Sequence, residues 1–238
     1  MVTVLHPTPM ATAADMELLP AIRAIYGARP RLRGRLHQLA AVLSVPVGIE
    51  LTAAASPDAR PAVAVYAVTW SLMLTTSAAY HRLAQSVAAR FWMRRLDHSM
   101  ILVHIAGSTT PVALLGVGGR GGTALLLTSW TVAALASALK LLGLTELVDP
   151  GAWGFPALGL LPLVGLPALA GRAGVDVAAL LALSIAVYGA GAVCFHRHRP
   201  DPFPTVFGYH EVWHVVTLVG GALQLIMTIQ LVGAATGG

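Results

Sequence analysis

Read for hydropathy, the chain breaks into long apolar runs separated by short polar or basic segments. Seven windows, at about 36–55, 61–81, 97–117, 122–142, 153–171, 175–195 and 209–233, each approach the roughly 20 residues that a helix needs to cross bilayer hydrocarbon. They predict an all-α protein: a seven-helix transmembrane bundle over residues 36–238, preceded by an amino-terminal tail over 1–35. Pro156, Pro162 and Pro167 interrupt the fifth window, so a kinked or partly unwound helix is expected there. In the tail, residues 1–15 are polar and irregular and are expected to be disordered. Leu18, Leu19, Ile22, Ile25 and Tyr26 then recur at helical spacing, which fits either a short helix on the inner bilayer surface or a solvated tail. Ser108, Thr109 and Thr110 before Pro111 suit a bend whose freed carbonyls are met by hydroxyls. Glu50, toward the outer end of the first span, reads either as a functional acid or as one that reaches out to the headgroups.

Composition agrees with the pattern. The chain has 238 residues, 56% hydrophobic and 11% charged, with a mean hydropathy of +0.74, which excludes an ordinary soluble domain. A pI near 10 would fit nucleic-acid binding, but the basic residues form no single patch with interleaved aromatics, and nucleic acid is excluded as a partner. They follow the bilayer instead. With the amino terminus inside, the inner segments hold Arg23, Arg29, Arg31, Arg33, Arg35, Arg82, Arg90, Arg94, Arg95, Lys140, Arg197 and Arg199, and the outer ones only Arg60, Arg120 and Arg172. Twelve against three, out of 15, is the asymmetry of the positive-inside rule. It predicts a multi-pass protein of the cell's inner membrane, with a cytoplasmic amino terminus and an external carboxyl terminus. The single Cys194 permits no internal disulfide, and no cleavable signal is expected in the first 35 residues.

Candidate chemistry gathers at three span ends. In FGYHEVWHVVTL, His210 and His214 lie four residues apart, on one helical face, at the mouth of the seventh span. Such a pair can hold two corners of a tetrahedral metal site; the other reading is hydrogen-bonded interior histidines. In TWSLMLTTSAAYHR, Ser77 and His81 again share a face where the second span ends. Asp97 opens the third window and reads either as a site acid or as a carboxylate favoured by the helix dipole. His98 has no nameable partner, His104 reads as a hydrogen-bonded interior group, and His196 and His198 read as solvated. The topology sets His81, Asp97 and His210 at one depth near the inner interface, with Ser77 and His214 one turn further in. Three neutral imidazoles with an open fourth position are the ligand set of a catalytic zinc centre. Asp97 could then hold a water as base, and Ser77 could donate to an oxyanion or complete the ligand shell.

SAAYH at 77–81, RRLDHSMILVHIAGSTTPV at 94–112 and PDPFPTVFGYHEVWH at 200–214 resemble the three signature regions of the hemolysin III branch of the progestin and adipoQ receptor family. Members of the wider superfamily, which includes alkaline ceramidases, are zinc-dependent membrane hydrolases of lipid amides. The resemblance implies His81, His210 and His214 as zinc ligands, Ser77 and Asp97 as the accompanying serine and acid, and a lipid-like amide or ester as substrate. Gln224 stands where many relatives carry another histidine, and the fifth span matches poorly. Three competitors remain open: an intramembrane protease using HEVWH with Glu211 as base, a receptor with a structural metal, and a pore-forming hemolysin.

Overall fold

The computed structural model describes residues 29–144 and 154–236; the short helix considered near residues 15–26 lies outside them. Among the described residues, seven helical segments are long and apolar enough to cross a membrane. No strand forms among them, only an isolated bridge between Phe203 and Phe207. The helices are α1 (Arg35–Ala54), α2 (Arg60–Arg82), α3 (Val87–Pro111), α4 (Gly119–Leu141), α5 (Gly154–Leu160), α6 (Leu166–Ala173), α7 (Val175–His196) and α8 (Tyr209–Thr236). The fifth span is helical throughout but its α-helix is interrupted among its prolines. Helices α5 and α6 are its two halves, joined by a 3-10 turn at Leu161–Gly165, next to the missing N–H groups of Pro162 and Pro167.

The third span departs from its hydropathy window. Helix α3 starts at Val87, capped by Ser86, whose hydroxyl accepts from the Ala89 N–H at 3.1 Å. A π-helical turn, Val112–Val117, extends it past Pro111. The segment Arg82–Leu96, which falls between the second and third windows, is therefore mostly helix, and Asp97 lies in the helix interior instead of its first turn. The reading of Asp97 as a dipole-stabilised capping acid is thereby corrected. Before the bend, the Thr109 hydroxyl donates to the Ile105 carbonyl at 2.7 Å and that of Thr110 to Ala106 at 2.9 Å; the carbonyl that Pro111 deprives of its helical N–H is that of Gly107, so these bonds are not the compensation expected for that stretch.

Consecutive helices pack side by side from α1 to α4, α7 packs along α8, and α1 also touches α8. Helix α3 is central: 67% of its apolar window is buried, against 22% for α1 and α4. Leu39, Val42, Leu43, Val68, Leu127, Leu135, Leu183 and Ile229 face outward, whereas Ser44, Thr69, Ser99, Ser129, Ser184 and Thr228 are buried. Apolar residues outside and small polar groups inside are the arrangement suited to a lipid surround, where a polar group must find its partner within the protein. Glu50 is exposed near the end of α1, which accords with a reach toward headgroups. His104 is interior, but neither ring nitrogen has a hydrogen-bond partner among the described residues, which corrects its reading as a hydrogen-bonded group.

Small residues set the helix spacing. A Cβ at Gly107 of α3 would lie 2.0 Å from the Thr69 hydroxyl oxygen and 2.7 Å from its Cβ on α2. At Gly159 an added Cβ would meet nothing within 4 Å. Gly107→Ala is therefore expected to lower stability by about 1–3 kcal/mol through overpacking. Gly159→Ala should leave the thermal midpoint of the purified protein in detergent unchanged.

Candidate metal centre

The centre is built at the end of the bundle where α2 finishes and α8 begins. Two acids organise the start of α8. Asp201 accepts from the Tyr209 N–H at 2.8 Å, and Glu211 reaches back to the Gly208 N–H at 2.8 Å, as in a capping box. Glu211 is fully buried and also pairs with the Arg33 guanidinium. Its carboxylate is thus committed to the cap and to Arg33. His210 and His214, one turn apart on α8, point instead toward His81 at the end of α2.

The three imidazoles form a near-equilateral cluster. Ring centroids lie 4.7 Å apart for His81 and His210, 5.0 Å for His81 and His214, and 4.8 Å for His210 and His214. One ligand nitrogen from each lies within 4.8 Å of the others, so the group could hold a metal ion. The Nε2 atoms of His81 and His210 are 3.2 Å apart. That matches the edge, about 3.3 Å, of a tetrahedron with metal–nitrogen bonds of 2.0–2.1 Å. An N–H···N hydrogen bond would account for this pair but not for the third ring beside it. His81 and His214 are buried and His210 partly so. Helices α2 and α8 have little backbone contact, so these rings fill the space between them.

Ser77 and Asp97 are both buried, and the Asp97 carboxyl lies beside the Ser77 hydroxyl. A fourth histidine completes the surroundings. His37 of α1, 3% exposed, stacks on His214 with centroids 3.9 Å apart and planes 12° from parallel. Its Nδ1 lies 2.8 Å from the Ser77 hydroxyl and its Nε2 3.0 Å from that of Thr217. One turn below, Ala41, Met73 and Leu74, with Met100 and Leu218 against them, make an apolar floor. His98, outside this group, bonds through Nδ1 to the Arg94 carbonyl at 2.7 Å.

The residues before α1 belong to the same end. The backbone N–H groups of Arg31 and Leu32 donate to the carbonyls of Thr205 and Val206, each at 3.0 Å. Arg29 donates to the His81 carbonyl at 2.8 Å and the Tyr80 carbonyl at 3.3 Å, closing the end of α2. Burial and the neighbouring Arg90 hold the Arg29 guanidinium below its ordinary value. Gly34, at φ +76°, passes so close to α2 that a Cβ there would lie 2.5 Å from the His81 Cβ.

All five site residues selected from the sequence, His81, His210, His214, Ser77 and Asp97, thus lie at this end of the bundle. His37, Thr217, Arg33 and Gly34 escaped the sequence reading. His37 had one available signal: it begins the first span at the depth that the topology assigns to His81 and His210.

The sequence profile described as Haemolysin-III related matches residues 26–225. The chain is 29% identical over 198 residues to Hemolysin-3 of Bacillus cereus, covering 81% of this chain and 87% of that protein. It is 26% identical over 198 residues to the Hemolysin-3 homolog of Bacillus subtilis, covering 81% and 89% respectively.

Gly34→Ala is expected to displace His81, both by the clash and by the left-handed backbone that alanine resists. A loss of metal affinity on the order of 10-fold is anticipated. Titration of the metal-free protein with Zn²⁺ in detergent, beside wild type, measures it; equal affinities would refute the coupling of this turn to His81.

Proposed function

The chain belongs to the Haemolysin-III related family, and on that footing we propose that it is a zinc-dependent membrane hydrolase acting on a lipid-like amide or ester. The observation that carries this reading is the convergence of three histidine nitrogens from α2 and α8 at a largely buried point, beside a serine and an acid. An ion held there with an open position would polarise a carbonyl and acidify water. The protein supplies the remainder. Asp97, buried beside Ser77, is assigned proton transfer, and Ser77 the polar contact to the reacting group. The apolar floor limits water below the histidines and suits a substrate with a hydrocarbon part. The surplus of basic residues on one side supports placing the histidine end, with the amino terminus, at the cytoplasmic face.

The protease reading loses support because Glu211, which would have to serve as the base of H-E-x-x-H, is engaged by the Gly208 N–H and Arg33. Glu211→Gln separates the two. It is expected to lower stability by about 1.5–3 kcal/mol through the weakened pair and cap, while the protein still binds metal at wild-type stoichiometry and retains turnover.

Metal analysis of the purified protein beside His81→Ala, His210→Ala and His214→Ala tests the centre. Wild type should carry bound zinc, and each variant should lose nearly all of it; full occupancy in any one would remove that ligand from the set. Hydrolysis of a long-chain ceramide by the same samples tests the reaction. Metal binding without turnover of any lipid amide or ester would favour a non-enzymatic receptor braced by the ion.

A further inference from the structure

We infer that His37 is a positioning residue that fixes which way the Ser77 hydroxyl proton points, making Ser77 a hydrogen-bond acceptor toward Asp97 and the metal-facing space. This deepens the hydrolase reading above and rests on it for its catalytic consequence, though not for its structural content.

Each hydroxyl and each neutral imidazole along this buried chain has a single proton to give. The Thr217 hydroxyl donates to the His214 carbonyl at 2.9 Å. A hydroxyl has one proton, so toward His37 Nε2, 3.0 Å away, Thr217 can only accept. Nε2 must therefore carry the imidazole proton. In the neutral ring Nδ1 is then bare and is an acceptor. The group facing it at 2.8 Å is the Ser77 hydroxyl, which must donate. The Asp97 carboxylate beside Ser77 is the competing acceptor for that proton; with the proton given to His37 at 2.8 Å, Ser77 presents only lone pairs elsewhere, Asp97 included. This assigns Ser77 the role of receiving an O–H, from a protonated Asp97 or from an incoming water, and not that of an oxyanion donor. The same ring lies flat on His214, 3.9 Å between centroids, so the face that orients Ser77 also packs against a candidate metal ligand. One side chain on α1 thereby ties Ser77 of α2 to Thr217 and His214 of α8.

The directional claim is testable without metal or substrate. In metal-free protein labelled with ¹⁵N-histidine and placed in phosphatidylcholine bilayers, solid-state NMR should show His37, assigned by its loss in His37→Phe, protonated at Nε2 and bare at Nδ1. Ser77→Ala should shift the Nδ1 resonance. A proton on Nδ1, or no response to Ser77→Ala, would overturn the inference even if the hydrolase reading stands. Two variants then separate orientation from packing. His37→Phe keeps a ring against His214 and loses both nitrogens; His37→Asn keeps an acceptor near the Nδ1 position and loses the stack. Both should bind zinc as wild type does. His37→Phe should lower kcat on the order of 10–100-fold, as outer-shell losses at metal sites do, with KM little changed, and His37→Asn should recover most of that loss. Wild-type kcat in His37→Phe, or an Asn variant no better than the Phe variant, would reduce His37 to a packing residue. Failure of wild type itself to bind zinc would sink the hydrolase reading while the NMR result still decides the proton's direction.

Discussion

Helices α2 and α8 meet through imidazole rings more than through backbone, and that junction sets the conditions for everything near it. A ring nitrogen removed from water and surrounded by hydrocarbon carries a desolvation cost that only a specific partner offsets. Here several such nitrogens are concentrated at one end of the bundle, and the neighbouring residues read as responses. Thr217 and Ser77 meet the nitrogens of His37. Arg29 meets the terminal carbonyls of α2. The nitrogens of His81, His210 and His214 converge on one another, an arrangement that makes chemical sense when a cation sits among them. Further from this end Val112, Leu169, Leu181, Met227 and Leu231 form an apolar cluster, while His104 keeps both ring nitrogens without a hydrogen-bond partner among the described residues.

Context also decides what a short motif means. HEVWH satisfies the letter of a zinc-protease signature, yet its three polar residues serve two different ends. The histidines, separated by a full turn, face α2. Glu211, one position along from His210, turns into the helix start, where the dipole, the Gly208 N–H and Arg33 all favour a negative charge. The acid helps to fix the end of α8, and with it the direction of both imidazoles.

Much of this was legible in the sequence, and the exceptions have physical causes. Six of the seven windows fall within a few residues of the helices because hydropathy registers the hydrocarbon slab, and most of these helices are about as long as that slab is thick. The third span is not. At 30 residues it extends to about 45 Å, so its first turns, with Arg90, Arg94 and Arg95, are polar while still helical. That is why Asp97 looked like a helix opening when it marks only the point where the sequence turns apolar. The i, i+4 spacing disclosed His210 and His214, and topology brought His81 to them. His37 has no such local companion. Its partners are 40 and 180 residues away, and only packing could disclose them. Gly34 was silent for a related reason, since a glycine announces a tight approach but not what it approaches.

The stretch from Arg29 to Gly34 makes four successive attachments: a helix end, the turn at Thr205 and Val206, a buried acid and the flank of His81. Residues 31–34 form a turn, closed by the Arg33 N–H on the Pro30 carbonyl at 3.0 Å and the Arg35 N–H on the Leu32 carbonyl at 2.9 Å, so one inserted or deleted amino acid would put each later attachment out of step with its mate. The number of residues between Arg29 and Arg35 is thus a structural dimension in its own right. Sequence drift is tolerable there wherever side chains can be exchanged, but the count itself has no slack.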